Sequence, residues 1–521
     1  MSERSEATTE SSTSASSGTA SGAGAANGPT GDATANAPTG MADLDFSAIR
    51  EKFELSEDFS PELEREARDA TDRFKADRID ARKLHLVTID PPGSKDLDQA
   101  VRIERGTELS RDGYTLYYAI ADVGAFVAPG SALDAEARER GETKYLPDGN
   151  IPLYPRILTE HTASLVQGED RPAVLWQIET DADGQLTRAR VRRATVHVRE
   201  RLDYPTLQAH YDHGKLLPEP IELLPEFGGM REERARERGA VELQLPEQDL
   251  AHVNDSWQLR LEPRTQMDAW NAHCSLATGI AAARIMLAGG TGLLRTLPQP
   301  DDETVGQFRL AALALGIDAR DEQTPGEILA SLNLNDPKSL ALNSAATKLL
   351  RGSGHLAFSP DNPPENDGAT WHAGVASEYG HATAPIRRLG DRFVSEVALA
   401  FGGEWVALDG SAQVTAEVPA EIADALPELP GLLQNSGRIA SSVENECINL
   451  AEAVALQDAV GQEFDAGLLR AGDGEHHAEV FVYEPPVIAQ CRGDVPPGEH
   501  VRVRLVEANP ATRKVRFEYP A

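Results

Sequence analysis

The sequence contains few cysteines, and their positions exclude two kinds of cysteine-based site. Its 521 residues include only Cys274, Cys447 and Cys491, which lie far apart and form no CxxC pair. This spacing indicates neither a zinc site nor a disulfide framework. It favours three small, buried hydrophobic side chains instead.

Long apolar runs are also missing. No run approaches the roughly 18 residues needed to cross a bilayer, and the N-terminus is polar and acidic, unlike a signal peptide. We therefore expect a cytoplasmic protein without a membrane partner.

Basic residues are scarce relative to acidic ones. Lys and Arg number 50 against 84 Asp and Glu, which gives a formal net charge of −34. Bulk negative charge argues against a nucleic-acid partner because it repels phosphate. An enzyme that threads RNA through a channel needs positive potential only along that channel, however, and bound divalent cations supply part of it. The acidity therefore makes RNA binding less expected without excluding it.

Composition and periodicity divide the chain into four segments. Residues 1–42 are rich in Ser, Thr, Ala and Gly and are predicted to be a disordered tail. Residues 43–83 form a charged lead-in, in which residues 61–83 are predicted to be a solvated helix. Residues 84–460 are predicted to be one mixed α+β domain, and residues 461–521 a small all-β barrel of the OB type.

The large domain is predicted to begin with strands and continue with helices. Alternating apolar residues predict strands over 84–90, 100–105 and 114–127, and over 174–201 with a hairpin turn at Asp181-Ala-Asp-Gly184. A period near 3.6 predicts helices over 267–288, 390–401 and 441–457.

The C-terminal segment alternates basic and apolar residues. Strand-like runs cover 478–484, 485–493, 500–508 and 514–521, and Arg502 and Arg504 alternate with valine in one of them. This pattern predicts a basic, RNA-facing surface. The alternative is an ordinary solvated sheet face.

Three acidic residues follow one apolar strand. Asp90, Asp96 and Asp98 lie in Thr-Ile-Asp-Pro-Pro-Gly-Ser-Lys-Asp-Leu-Asp-Gln, where a Pro-Gly turn can bring them together. Crowded carboxylates raise each other's pKa unless a cation binds between them, and Mg²⁺ is the hard cation that suits oxygen ligands. The alternative is a polar turn whose aspartates cap backbone N–H groups.

This segment resembles the signature of the ribonuclease II/ribonuclease R (RNB) family, and later segments follow the family's order. Together they cover about residues 80–460. The matching segments are Ala119-Ile-Ala-Asp-Val123, Leu133 to Gly141, Tyr145-Leu-Pro147, Ile151 to Pro155, Ser164-Leu165, Asp170-Arg-Pro172, Arg201-Leu-Asp-Tyr204, His372-Ala-Gly374, Tyr379, His381 to Arg388, and Asp391.

The resemblance implies a 3′-to-5′ exoribonuclease of the ribonuclease II type, which hydrolyses single-stranded RNA to nucleoside 5′-monophosphates with Mg²⁺ or Mn²⁺. Asp90 and Asp96 match metal- and water-positioning carboxylates, and Asp98 matches the most essential acid. Arg387 is expected to grip the scissile phosphate as a planar, bidentate donor.

The resemblance also implies RNA contacts around this site. Tyr145 matches an aromatic residue that stacks on the 3′-terminal bases, which makes binding independent of sequence. A lone tyrosine would otherwise be expected in the core. Arg388 and His381 are expected either to contact RNA or only to pack and to pair with Asp391.

The sequence departs from the family in two places. Gln99 replaces a fourth clustered carboxylate; its amide oxygen can still ligate Mg²⁺ but brings no charge, so weaker metal binding is expected. The segment before Leu84 has no room for the family's two N-terminal cold-shock domains, which predicts weaker affinity for long single strands.

Two other functions remain open from the sequence. Gln99 is compatible with a non-catalytic RNA-binding protein on the same fold. A Mg²⁺-dependent enzyme acting on DNA or another phosphodiester is the second alternative, because recognition of the 2′-hydroxyl depends on pocket geometry.

Overall fold

The structure is a computed structural model that describes residues 44–243, 248–253, 256–261, 265–320, 322–332, 336–472 and 477–520. The predicted tail at residues 1–42 lies outside these ranges. The helices are α1 (Ser47–Lys52), α2 (Pro61–Asp69), α3 (Ala132–Arg140), α4 (Tyr204–Asp212), α5 (Leu224–Glu237), α6 (Gln266–Gly289), α7 (Asp302–Ala314), α8 (Pro325–Ala330), α9 (Pro337–Ala346), α10 (Leu389–Phe401), α11 (Ala420–Ala423) and α12 (Leu429–Leu456).

Strands form most of the first half and the end of the chain. They are β1 (Ile79–Asp80), β2 (Leu86–Asp90), β3 (Gln99–Arg105), β4 (Tyr114–Ala121), β5 (Lys144–Leu146), β6 (Gly149–Ile151), β7 (Asp170–Thr180), β8 (Leu186–Asp203), β9 (Gln248–Val253), β10 (Ser256–Leu261), β11 (Gly292–Thr296), β12 (Gly354–Phe358), β13 (Trp371–His372), β14 (Ser377–Glu378), β15 (Val406–Ala407), β16 (Glu463–Arg470), β17 (Ala478–Val482), β18 (Val487–Arg492), β19 (His500–Asn509) and β20 (Lys514–Glu518).

The main sheet has the strand order β1-β8-β2-β3-β4-β7, and β15 pairs with β8. The long strand β8 pairs antiparallel with β7 through residues 186–197 and parallel with β2 through residues 198–203. β8 therefore closes β2, β3, β4 and β7 into a ring, because it pairs with both β2 and β7. The turn between β7 and β8 contains Asp181 and Gly184, as the sequence predicts.

Helices cover the sheet and complete its core. α6 contacts β4, β7 and β8, and α10 contacts both α6 and β8. Trp176, Leu116 and Val397 are fully buried in this core. All but one residue of β4 and the last eight residues of β7 are buried, so both faces of these strands lie in the core.

α6 is the central helix of this layer. It begins with a capping box between Thr265 and Asp268, and it is long and apolar enough to cross a membrane by length and composition alone. Because 61% of its most apolar window is buried inside the protein, its composition is that of a core helix.

The charged lead-in differs from the prediction. α2 begins at Pro61 with Ser60 as its N-cap but ends at Asp69, so the prediction of one solvated helix over residues 61–83 is wrong. Arg78 is buried and pairs with Asp72 and Asp122 at 2.6 and 2.8 Å. The sequence pattern predicted that these charged side chains are exposed to solvent. Their ion pairs instead hold this segment against the sheet.

Two other element bounds differ from the prediction. β4 ends at Ala121 rather than near residue 127, because the chain turns into a 3-10 turn at Val123–Ala125. α12 begins at Leu429, twelve residues before the predicted start at 441. Pro430 and Gly431 suggest a loop in the sequence and so hide the start of this helix. Proline is nevertheless well tolerated in the first turn of a helix.

The C-terminal segment is a closed barrel with the strand order β16-β17-β18-β20-β19. Four of its strands were predicted, and β16 was missed. Val480, Val503, Leu505 and Phe517 are fully buried inside it. The main mixed domain and this five-stranded barrel confirm the predicted fold class, and α12 contacts both.

Candidate active site

Two of the predicted acidic residues lie at the same end of neighbouring strands. Asp90 is the last residue of β2, and Asp98 directly precedes β3. In this antiparallel pair Val87 is opposite Val101, so counting along the strands places Asp90 beside Asp98. The connecting turn includes Gly93 at φ 89°, a backbone conformation that favours glycine.

Asp98 is buried between the two halves of the site. Its side chain is only 4% exposed; Oδ1 accepts a hydrogen bond from Ile386 N at 2.8 Å, and Oδ2 lies 3.4 Å from Nε of Arg387. Within the described residues Oδ2 accepts no hydrogen bond. Burial raises the pKa of Asp98 to about 8, although the charge of Arg387 opposes the shift. This carboxylate therefore needs further positive charge to stay ionised at neutral pH.

Asp90 has a similar environment. Its Oδ2 is buried and accepts no hydrogen bond in the described part of the chain. Burial raises the pKa of Asp90 to about 6, and the nearby Asp96 raises it further while Arg387 and Arg201 lower it. The three predicted acids thus lie in one electrostatic environment together with Arg387.

Tyr145 lies beside the third acid. It is the middle residue of β5, 49% exposed, and its hydroxyl donates to Asp96 Oδ2 at 3.2 Å. The alternative of a core tyrosine is therefore wrong. The ring borders a cavity of about 540 Å³ whose wall also includes Asp96, Asn150 and Arg156.

Hydrogen bonds connect the start of the β5–β6 hairpin to the loop that contains Arg387. Lys144 is buried and donates to the carbonyl of Glu142 and to Ser436 Oγ, both at 3.0 Å. The backbone N–H of Thr143 donates to the carbonyl of Arg387 at 3.0 Å. The aromatic residue and the guanidinium are therefore held in one framework.

The loop over residues 384–388 is held by one carboxylate. Asp391 Oδ2 accepts hydrogen bonds from Ala384 N at 2.8 Å and from Nε and Nη2 of Arg388 at 3.1 and 2.7 Å. Arg387 and Arg388 have different carboxylate partners, Asp98 and Asp391. Arg387 faces Asp98, and Arg388 faces a second cavity.

Arg388 and His381 are therefore not brought to the carboxylates. They border a cavity of about 340 Å³ together with Arg295 and His355. The His381 ring lies 5.4 Å from the ring of Tyr379, and burial, with Arg388 next, lowers the pKa of His381 well below its usual range. The pairing of Arg388 with Asp391 agrees with the structural alternative; contact with RNA stays a prediction.

The amide oxygen of Gln99 already has a hydrogen-bond donor. Its amide oxygen accepts a hydrogen bond from the hydroxyl of Tyr118 on β4. Val101, two residues along β3, pairs directly with Tyr118, so Gln99 lies on the same strand face as Tyr118. An amide oxygen has a second lone pair, so metal ligation by Gln99 stays a prediction.

The barrel arginines are charge-neutralised. Arg502 lies 3.3 Å from Asp465, and Arg504 lies 3.3 Å from Glu463 and 3.9 Å from Glu518. The prediction of a basic face is therefore corrected to a face of alternating charge, because acids on β16 and β20 stand across from the arginines. RNA binding by these residues stays a prediction.

Sequence reasoning gave no role to three nearby groups. Tyr204, at the start of α4, receives a hydrogen bond from Asn271 Nδ2 at 2.9 Å, and both it and Arg201 are close enough to Asp90 to interact electrostatically. Tyr204 and Arg201 both lie in the segment Arg201-Leu-Asp-Tyr204, which resembles the family and could have identified them. The N–H of Ile386 could not be found this way, because backbone donors leave no pattern in a sequence.

The donor set suits a hard divalent cation. Asp90 and Asp98 each present a buried carboxylate oxygen without a hydrogen-bond donor in the described residues. In that same part of the chain no three His, Cys, Asp or Glu side chains lie close enough to hold a metal by themselves. Mg²⁺ commonly takes one or two carboxylates and completes its shell with water and substrate phosphate, so the residues fit it.

These features define a class of protein: a mixed α/β domain with a carboxylate–arginine site, followed by an OB-type barrel. The sequence matches the RNB domain over residues 78–400 and the RNase II-type exonuclease C-terminal S1 domain over residues 462–519. The chain therefore belongs to the RNB family, which confirms the resemblance drawn from its motifs.

Known relatives are similar over part of their length. The chain is 30% identical to Ribonuclease R of Escherichia coli over 333 residues, which cover 61% of this chain and 39% of the relative. It therefore spans well under half of that protein.

Solved structures share the fold. The apo form of Mycoplasma genitalium RNase R superposes with a TM-score of 0.77 at 16% identity, covering 91% of this chain and 77% of that one. Yeast Ssd1, described as a pseudonuclease, gives a TM-score of 0.58 at 15% identity over 82% and 52% of the two chains.

Proposed function

We propose that this protein is a hydrolytic 3′-to-5′ exoribonuclease that degrades single-stranded RNA to nucleoside 5′-monophosphates. The observation that carries the proposal is the placement of Asp98, buried, with Arg387 at 3.4 Å, together with a second carboxylate, Asp90, that interacts electrostatically with the same arginine. Membership of the RNB family and similarity to Ribonuclease R support the same activity.

Arg387 is suited to bind the scissile phosphate. Its side chain is 45% exposed, so substrate can reach it, while Asp98 fixes its Nε end. A guanidinium in this position offers its remaining N–H groups to two phosphate oxygens and stabilises negative charge that develops during cleavage.

The carboxylates are suited to orient a water molecule and a cation. The unpaired oxygens of Asp90 and Asp98 can accept hydrogen bonds from water or ligate Mg²⁺, and Mn²⁺ suits the same ligands. When bound, such an ion polarises the phosphate and lowers the pKa of the attacking water. The pKa of Asp98, raised to about 8, makes its ionisation at neutral pH dependent on a nearby positive charge, whereas Asp90, with a pKa of about 6, is mostly ionised there.

Tyr145 is suited to hold the 3′ end of the strand. Its exposed ring lies at the cavity beside Asp96, where a terminal base can stack on it. Stacking accepts every base, which suits degradation without sequence preference.

The test is release of mononucleotides from 3′-labelled and 5′-labelled RNA with Mg²⁺ or Mn²⁺, using protein shown to be folded. We expect 5′-monophosphates from the 3′ end, and no release from Asp98→Asn. A wild-type protein that is folded and releases nothing with either metal would rule out the exoribonuclease. A matched DNA oligonucleotide tests the alternative substrate.

A second candidate is an RNA-binding protein without catalysis. It is favoured by Gln99, which carries no charge where the family has a fourth carboxylate and whose amide oxygen already accepts a hydrogen bond from Tyr118. The fold also occurs in a protein described as a pseudonuclease. If wild type and Asp98→Asn bind RNA equally and neither releases nucleotides, this second function is the correct one.

A further inference from the structure

Four arginines collect between α5 and α6. Arg231, Arg234 and Arg238 follow the spacing i, i+3, i+7 along α5 and its C-cap, which places them on one face of the helix. Arg284 on α6 is close enough to both Arg231 and Arg238 to interact electrostatically. We refer to these four residues as the arginine cluster.

The buried member of the cluster has an unsatisfied donor. Arg231 is 3% exposed, and its Nη1 donates to the carbonyl of Gly184 at 2.7 Å. Its Nε is buried, as are Nε of Arg234 and of Arg238, and within the described residues none of these three atoms has a hydrogen-bond partner. Three strong donors in one cluster are therefore unsatisfied.

The neighbouring carboxylates and carbonyls contact atoms of the cluster other than these three Nε atoms. Arg234 pairs with Glu237 at 2.6 Å through Nη2, and Nε of Arg284 lies 3.7 Å from Glu378. Nη1 of Arg284 donates to the carbonyl of Leu408 at 2.7 Å. In the described part of the chain these are the ion pairs of the cluster, so four positive charges face two negative ones.

The excess charge affects neighbouring groups. Burial, followed by Arg238 and Arg284, lowers the pKa of Arg231 to about 9. Burial, followed by Arg231 and Arg238, lowers the pKa of His273 on α6 to about 4, so His273 is neutral at physiological pH and adds no charge. The local field is positive although the whole chain carries a net charge of −34.

Such an arrangement is unfavourable unless an anion completes it. Uncompensated buried charge is costly, and buried donors in native proteins almost always have an acceptor, which includes bound ions. Arginine is the side chain best suited to bind phosphate, because its planar fork matches two phosphate oxygens. Arg234, Arg238 and Arg284 are partly exposed, so the cluster is open to solvent on one side.

We propose that Arg231, Arg234, Arg238 and Arg284 form a binding site for a phosphate group. The group comes either from a free mononucleotide or from the backbone of an RNA strand. The site involves the α5-facing side of α6, whereas Asn271 of the same helix contacts Tyr204 near Asp90. The proposal does not depend on catalysis.

The test compares Arg238→Gln and the double variant Arg234→Gln/Arg238→Gln with wild type in full-length protein. Inorganic phosphate and a nucleoside 5′-monophosphate are titrated by calorimetry and by thermal unfolding, with chloride at equal ionic strength as the reference. The control is Arg236→Gln on the same helix, because Arg236 is exposed and pairs with Glu233.

We expect a saturable rise in the melting temperature of wild type and Arg236→Gln, and at least about tenfold weaker binding by Arg238→Gln. In phosphate-free buffer Arg238→Gln is expected to melt no lower than wild type, because the substitution removes repulsion between guanidinium groups. This second measurement separates lost binding from failed folding.

Fluorescence anisotropy with a labelled RNA oligonucleotide shows whether the phosphate group belongs to a free mononucleotide or to the RNA backbone. Weaker RNA binding by Arg238→Gln, without binding of the mononucleotide, identifies the RNA backbone as the source. Mononucleotide binding with unchanged RNA affinity identifies the free nucleotide. The proposal is overturned if no phosphate compound binds, or if Arg238→Gln and Arg236→Gln behave alike.

Discussion

The carboxylate of Asp98 accepts a hydrogen bond at 2.8 Å from the backbone N–H of Ile386, a residue 288 positions further along the chain. This contact joins the turn after β2 to the loop that carries Arg387. The acid and the guanidinium of the candidate site are thus brought together by the tertiary fold and not by local sequence.

The raised pKa of Asp98 predicts a pH-dependent stability. The folded carboxyl holds its proton up to about pH 8, whereas the unfolded one releases it near 3.8, so the folded state binds more protons between these values. Stability in metal-free buffer should therefore fall as pH rises through this window, by on the order of a few kcal/mol. Asp98→Asn should flatten that fall.

Unfolding by denaturant at several pH values with EDTA, and again with Mg²⁺, measures this effect. Mg²⁺ should restore stability to wild type at pH 8 but not to Asp98→Asn. Asp112→Asn, in an exposed turn, is the surface control. An identical pH dependence in wild type and Asp98→Asn would contradict the assigned environment of Asp98.

Tyr145 should contribute to RNA binding through its ring. Tyr145→Phe keeps stacking and loses the hydroxyl, which donates to Asp96 and interacts with Arg387, so RNA affinity should change little. Tyr145→Ala should weaken binding by about 1–3 kcal/mol, because stacking is lost. Fluorescence anisotropy with short RNA in EDTA measures both, and Tyr211→Ala, at another exposed tyrosine, is the control. Equal affinities for the Ala and Phe variants would exclude a stacking role.

Asp391 should act by positioning Arg387. Asp391→Asn removes the charge that holds Arg388 and weakens the acceptor for Ala384 N. The free energy of unfolding should fall by about 1–3 kcal/mol, and kcat for nucleotide release should fall more than RNA affinity. Kinetics at saturating RNA, with anisotropy in parallel, separates the two quantities. A loss confined to RNA affinity would mean that Asp391 supports binding and not the reacting groups.

The sequence predicts residues that belong to recognisable motifs. It does not predict interactions that depend on how strands pair in the fold. Asp90, Asp98 and Arg387 were identifiable because their motifs occur in a fixed order. The engagement of Gln99 by Tyr118 was not, since it depends on the register of β3 and β4. The neutralised barrel face was missed for a related reason: β16, which provides Glu463 and Asp465, was not recognised as a strand.

The ion pairs on the barrel predict that its arginines contribute little to RNA affinity. Arg502 and Arg504 already face Asp465 and Glu463, so a phosphate must compete with existing partners. Arg502→Gln/Arg504→Gln should weaken RNA binding by less than about 1 kcal/mol, in line with exposed ion pairs, and should change the salt dependence of binding only slightly. Anisotropy between low and moderate salt tests this, with Glu463→Gln as the matched variant, which should strengthen binding because it removes one acidic partner from each arginine. A large loss of affinity together with a shallower salt dependence in the double arginine variant would instead show that RNA displaces the acidic partners.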